Sequence, residues 1–175
     1  MLLDLASGHE IPLQGREDFK WGGMVVFSTD TRFVAVSVRD RLGVWDVPVG
    51  HRVLDDRLES EITVISFSPE GETIAAGGKN GATDIWQLSD GQRIARVMVV
   101  AAAGRQSVPP VTAAALSPHG EYLLTTTRGA TRIWAVSVES LTRQVSARIA
   151  GDLTTAEWKA FAGDERRLTS IHPTR

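Results

Sequence analysis

Short apolar runs, broken at near-regular intervals by turn residues, dominate the chain and read as strands. Ile62-Thr63-Val64-Ile65-Ser66-Phe67 is rich in β-branched residues, which fit a pleated surface. Ser68-Pro69-Glu70-Gly71 follows with Pro and Gly at turn positions. Residues 73–77 make a second strand, and Lys79-Asn80-Gly81 makes a tight turn, Asn-Gly being the strongest short hairpin signal. Residues 83–88 form a third strand, Ser89-Asp90-Gly91 turns again, and residues 93–99 form a fourth. Ile85 and Trp86 are adjacent and both apolar, so alternation fails as it does in a strand buried on both faces.

This four-strand pattern recurs. Trp45, Trp86 and Trp134 each end an apolar strand, the last two within Gly-Ala-Thr-x-Ile-Trp. Upstream of them stand Phe27-Ser28-Thr29-Asp30, Phe67-Ser68-Pro69-Glu70 and Leu116-Ser117-Pro118-His119, at offsets of 18, 19 and 18 residues. Downstream, the turn ending at Gly50-His51 matches the turn ending at Gly91-Gln92, and Asp4-Leu5-Ala6-Ser7-Gly8-His9 matches both. Leu3 therefore takes the Trp place in a headless copy. The anchors at 3, 45, 86 and 134 are spaced 42, 41 and 48 residues apart, with a lengthened loop over 99–110.

Trp45-Asp46, Asn80-Gly81…Ile85-Trp86 and Phe67-Ser68-Pro69-Glu70-Gly71 resemble the WD-repeat (WD40) β-propeller family, which repeats at roughly 40–45 residues with four strands per blade. The resemblance covers residues 1–137. It implies an all-β fold: a partial propeller of about three and a half blades of four-stranded antiparallel sheet, with a half blade over 1–20 and blades over about 21–60, 61–108 and 109–137. Trp45, Trp86, Trp134, Asp46, Gly50 and Gly91 are its expected structural residues. Only Trp45-Asp46 is a literal Trp-Asp pair, and the family's Gly-His before the inner strand is missing. The relay of His, Asp, Ser and Trp typical of strong repeats is therefore not expected, and packing should carry these blades.

Residues 138–175 read differently. Leu141, Val145, Arg148 and Ile149 fall at helical spacing, so a helix is expected where an outer strand would stand. Thr154 and Glu157 fit a capping box, with Leu153 and Trp158 as its hydrophobic staple. Asp152-Leu153-Thr154-Thr155-Ala156-Glu157-Trp158 resembles the ending of bacterial WD-repeat proteins fused to STAND-type signalling ATPases. That resemblance implies a natural C-terminus at Arg175 but no ATPase activity, since nothing here resembles the ATPase domain.

Composition narrows the chemistry. Nineteen basic against 21 acidic residues give a net charge of −2, which argues against a dedicated nucleic-acid surface. With no Cys, disulfides and thiolate sites are excluded, and a reducing, cytoplasmic setting is the expectation. The N-terminus does not read as a signal peptide, and the longest apolar run, seven residues over 97–103, is far short of the roughly twenty that a membrane helix needs. Phosphate-loop, dinucleotide, HExxH and EF-hand motifs are absent, so no cofactor or metal is expected. His9 and His51 occupy equivalent turns and read as exposed turn residues. Asp55, Asp56, Glu59 and Glu61 read as a solvated acidic loop, and Ser117 with His119 as a turn, because the same Ser recurs at 28 and 68.

The functional expectation is a non-catalytic protein-interaction scaffold or sensing module, the C-terminal part of a larger WD-repeat protein. Its partners are proteins, and self-association could complete a propeller. Arg39, Lys79 and Arg128 recur before the second hairpin turn and form a candidate basic rim for an acidic partner. A truncated remnant is the alternative. An enzyme is the weaker one, since Val25-Val26, Val64-Ile65 and Ala113-Ala114 leave the inner strands apolar.

Overall fold

The computed structural model describes residues 2–3, 10–19, 23–99, 107–137 and 142. By its contacts the chain divides into Met1–Ser137 and Val138–Arg175. In the second unit only Thr142, helical and exposed, is described. The expected helices, capping box and staple of the tail, and residues 100–106 of the lengthened loop over 99–110, lie outside the described residues.

Every described sheet is an antiparallel meander, as strands joined by short turns must be. β1 (Leu2–Leu3) pairs with β2 (Glu10–Ile11), Leu2 facing Ile11. A short 3-10 turn, Arg16–Phe19, leads on. The first blade is β3 (Met24–Phe27), β4 (Phe33–Val38), β5 (Arg41–Asp46) and β6 (His51–Arg57). The second is β7 (Ile62–Phe67), β8 (Thr73–Gly78), β9 (Ala82–Gln87) and β10 (Arg93–Met98). The third has three described strands, β11 (Val111–Leu116), β12 (Tyr122–Thr127) and β13 (Ala130–Ala135). The place of its fourth strand falls beyond Ser137, outside the described residues.

The blades stand side by side with β3, β7 and β11 innermost, β7 packing on both β3 and β11. β8 and β9 are buried along nearly their whole length, β9 as its adjacent apolar pair Ile85-Trp86 predicts. One apolar cluster, with Phe33, Leu42, Val44, Leu54, Ile65, Ile74 and Trp86, joins the first and second blades. A smaller one, with Ala75, Ile85, Leu116 and Leu123, joins the second and third, with Trp134 packed against it. Trp45 and Trp86 are each 1% exposed, and removing a large apolar side chain from water contributes about 1.5–3 kcal/mol.

The repeat extends to its irregularities. The ladder between β5 and β6 shifts register just after Val44, and that between β9 and β10 shifts between Arg93 and Ala95, putting an extra residue at Val53 and Ile94 of the two outer strands. The inner ladders shift at the equivalent Thr63 and Thr112, whose hydroxyls donate to the carbonyls of Gly77 and Thr126, each at 3.1 Å.

Candidate functional site

The turns that join the strands gather at the two ends of the blades. At one end lie the turns after the innermost strands. Ser28, Ser68 and Ser117 play one role there: each Oγ accepts the backbone N–H five residues on, from Phe33, Thr73 and Tyr122, at 2.9, 3.1 and 3.0 Å. Their carbonyls accept the N–H of Thr31, Gly71 and Gly120, each at 2.9 Å. Ser117 is thus a turn residue, and His119 beside it contacts Glu70 of the neighbouring turn at 2.8 Å instead.

The turns after Trp45 and Trp86 share this end. Gly50 and Gly91 have φ of +68° and +69°, the left-handed region that glycine enters without steric cost. Each also admits a neighbouring carbonyl: a Cβ on Gly50 would lie 2.2 Å from the oxygen of Pro12, just after β2, and one on Gly91 2.7 Å from that of Val53 in β6. Asp46 is 7% exposed; its Oδ2 accepts from Arg32 Nε and Nη2 at 3.1 and 3.0 Å, and its Oδ1 is buried with no partner. Ser28 donates to Asp30, and with the Arg32 N–H it holds that carboxyl below its ordinary value.

The three Trp indoles find three different acceptors. Trp45 donates to the Gln14 carbonyl at 2.7 Å, Trp86 to Asp56 Oδ2 at 2.9 Å, and Trp134 to Thr125 Oγ1 at 2.8 Å. Trp45 also receives the edge of Phe19, with ring centroids 5.2 Å apart.

Arg39, Lys79 and Arg128 lie in the turns at the opposite end and are exposed. Six residues separate that end from the serine turns along β4, β8 and β12, roughly 20 Å of strand. Lys79 donates to Glu61 at 2.6 Å. Arg39 has φ of +56°, and its carbonyl accepts the Ile62 N–H across the seam between blades.

Of the acidic stretch 55–61, Glu59 and Glu61 lie in an exposed loop, whereas Asp55 and Asp56 belong to β6, and ion pairs engage all four. Asp55 takes a two-pronged bond from Arg41, both at 2.7 Å, and this, with Arg52 close by, holds its carboxyl below the ordinary value. Asp56 meets Arg93 at 3.0 Å, and Glu59 meets Arg96 at 2.5 Å. Both arginines also reach Asp84, whose side chain is 0% exposed, at 3.3 and 2.8 Å. Glu59 and Asp84 together push the Arg96 guanidinium further up its basic range. One signal could have revealed this seam. Gln14–His51, Gly15–Arg52, Asp56–Arg93 and Glu59–Arg96 are all 37 residues apart, slightly less than one repeat. His9, the other turn histidine, lies outside the described residues. Among the described residues no three His, Cys, Asp or Glu side chains are grouped to hold a metal, and no helix is long and apolar enough to cross a membrane.

Comparison with known proteins places this geometry. The sequence model of the WD40 family, described as "WD domain, G-beta repeat", matches residues 49–87. The small ribosomal subunit protein RACK1 of Medicago sativa is 26% identical over 103 residues, 59% of this chain and 28% of its own length. RACK1z of Arabidopsis thaliana is 21% identical over 107 residues, 61% of this chain and 30% of its own. The chain thus spans under a third of the length of these relatives. Among solved structures, the β-propeller domain of Cps50 (Swd1) from Myceliophteria thermophila superposes with a TM-score of 0.55 at 21% identity, covering 66% of this chain and 34% of that one. The described sheets have the fold of part of a β-propeller.

Proposed function

We propose that the chain is a non-catalytic protein–protein interaction scaffold or sensing module, the C-terminal part of a larger cytoplasmic WD-repeat protein. In this reading residues 1–137 supply propeller blades and 138–175 a helical tail. The observation that carries it is the row Arg39, Lys79 and Arg128, which puts one exposed cation from each blade at one end of the sheets. The row suits an acidic segment of a partner. The ending Asp152–Trp158 supports a place among bacterial signalling proteins of the STAND-ATPase type.

The test is binding of a fluorescein-labelled (Gly-Glu)4 peptide, read by anisotropy. Replacing Arg39, Lys79 and Arg128 together by Ser is expected to weaken it at least about tenfold. Equal binding by the wild type and the triple variant removes the basic rim.

A second reading, a remnant needing further blades, is favoured by the outer faces of the sheets. Val25 and Phe27 on β3 are 59% and 46% exposed, and Ile133 on β13 is 71% exposed. Such faces expect a neighbouring blade. Two copies could supply it to one another. A solution mass of twice the chain supports that closure, and a clean monomer rejects it.

A further inference from the structure

We propose that Glu61 is a built-in competitor for the basic row. Its carboxylate occupies on Lys79 the place that an acidic partner must take, and the partner binds by displacing it. The inference rests on the interaction reading of that row and adds how access to the row is controlled.

The link between the first two blades runs between two of the three cationic turns and is bonded to both. The Ile62 N–H donates to the Arg39 carbonyl at 2.7 Å, and the Lys79 N–H donates to the Glu61 carbonyl at 3.0 Å. Ser60 adds a third tie, its Oγ accepting the Asn80 N–H at 3.3 Å. A Cβ on Gly78 would lie 2.4 Å from that same Oγ, so the link lies directly on the second turn. The backbone therefore sets Glu61 between Arg39 and Lys79 before its side chain makes any contact. Lys79 Nζ then donates to its Oε2 at 2.6 Å.

The next link departs from this pattern at one place. β11 pairs Val111 with Thr127 as β7 pairs Ile62 with Gly78, so the exposed Pro110 stands where Glu61 does. Among the described residues, Lys79 alone of the three cations is paired with a carboxylate. The carbonyl of Glu61 and the N–H of Ile62 hold the link, so the carboxylate can leave Lys79 without releasing it. The pair is open to water, with side chains 57% and 52% exposed. An ion pair so exposed is weak, and a partner with several carboxylates outcompetes it. The apparent affinity of the row is reduced by the fraction of time that Lys79 is occupied, which for an exposed pair amounts to about two- to sixfold.

The probe is fluorescein-labelled (Gly-Glu)4, followed by anisotropy at one fixed salt concentration. Glu61→Gln keeps the shape of the side chain and removes its charge, and should tighten binding about two- to sixfold. Glu59→Gln removes the same charge two residues away, where the cation it releases, Arg96, is still held by Asp84, and should not match that gain. In a Lys79→Ser background Glu61→Gln should give no gain, because the gain comes from freeing Lys79. No gain in the wild-type background, or an equal gain with Lys79→Ser or with Glu59→Gln, overturns the competitor. In those cases loss of binding in the triple Ser variant leaves the interaction reading standing. Absence of peptide binding by both the wild type and Glu61→Gln removes the row and the competitor together.

Discussion

Thr31, Gly71 and Gly120 occupy one position in three turns, and their carbons tell what that position tolerates. All three have positive φ, at 61°, 72° and 66°. Left-handed backbone costs a β-branched residue about 1–2 kcal/mol, part of which glycine returns through its freer unfolded chain. Thr31→Gly is therefore expected to stabilise the protein by about 0.5–1 kcal/mol, read as a raised urea midpoint. A midpoint at or below wild type would show that the Thr31 hydroxyl, which donates to the Asp30 carbonyl at 2.7 Å, outweighs the strain. The same logic separates two other glycines. A Cβ on Gly71 would meet nothing nearer than Asp30 at 3.5 Å, so Gly71→Ala carries the backbone term alone, about 1 kcal/mol. On Gly50 it would lie 2.2 Å from the Pro12 carbonyl oxygen, so Gly50→Ala should cost about 3 kcal/mol. Equal losses at the two sites would mean the approach of Pro12 relaxes freely.

Asp55 belongs to the same scale. Its bonds from Arg41 and the nearby Arg52 lower its pKa from the ordinary 3.8. A carboxyl whose pKa is lower in the folded than in the unfolded chain stabilises the fold above the unfolded value. That contribution fades as pH falls from about 3.8 through the folded value. Asp55→Asn should accordingly flatten the dependence of the denaturation midpoint on pH below about 4 and lower the midpoint at pH 7. An unchanged slope would mean the unfolded chain keeps the same pairing.

At the scale of elements, strands and turns were legible and seams were not. The expected strand over residues 62–67 and the turns at Ser68–Gly71 and Asn80-Gly81 appear where β-branched residues, Pro and Gly put them, because each is decided within a few residues. Which charge meets which is decided by how one blade lies on the next. The pairing of Asp56 and Glu59 could not be read locally because their partners are 37 residues away on β10. Asp84 sits inside a strand whose neighbours are apolar, and only Arg93 and Arg96 on the adjacent strand make its burial tolerable. Asp84→Asn keeps the shape and removes the charge between two arginines, so a loss of about 2–3 kcal/mol in chemical denaturation is expected. Asp56→Asn, at a side chain 31% exposed, should cost only about 1 kcal/mol. If the two variants lose equally, burial is not what sets the value of these pairs.

At the scale of the molecule, the two seams are unequal. The cluster between the first and second blades gathers large buried side chains from both sheets, Phe33, Leu42, Leu54, Ile74 and Trp86 among them, and the ion pairs of Asp56 and Glu59 run along its outer edge. The described cluster between the second and third blades has Ala75 and Ile85 on one side and Leu116 and Leu123 on the other, with Trp134 only partly buried. In an array of repeats, stability is approximately a sum of each unit's own and that of its interfaces, so the unit behind the weaker interface opens first. The third blade should then open without the others. Native-state hydrogen exchange is expected to show the amides of β12 and β13 exchanging through a local opening, with those of β4, β5, β8 and β9 exchanging only with global unfolding. Leu123→Ala, which removes a side chain 0% exposed, should accelerate exchange in β11 to β13 and leave β5 unchanged, whereas Leu42→Ala, equally buried in the larger cluster, should destabilise both blades it joins. Uniform protection from β4 to β13, lowered everywhere by either substitution, would mean that all three blades fold as one unit.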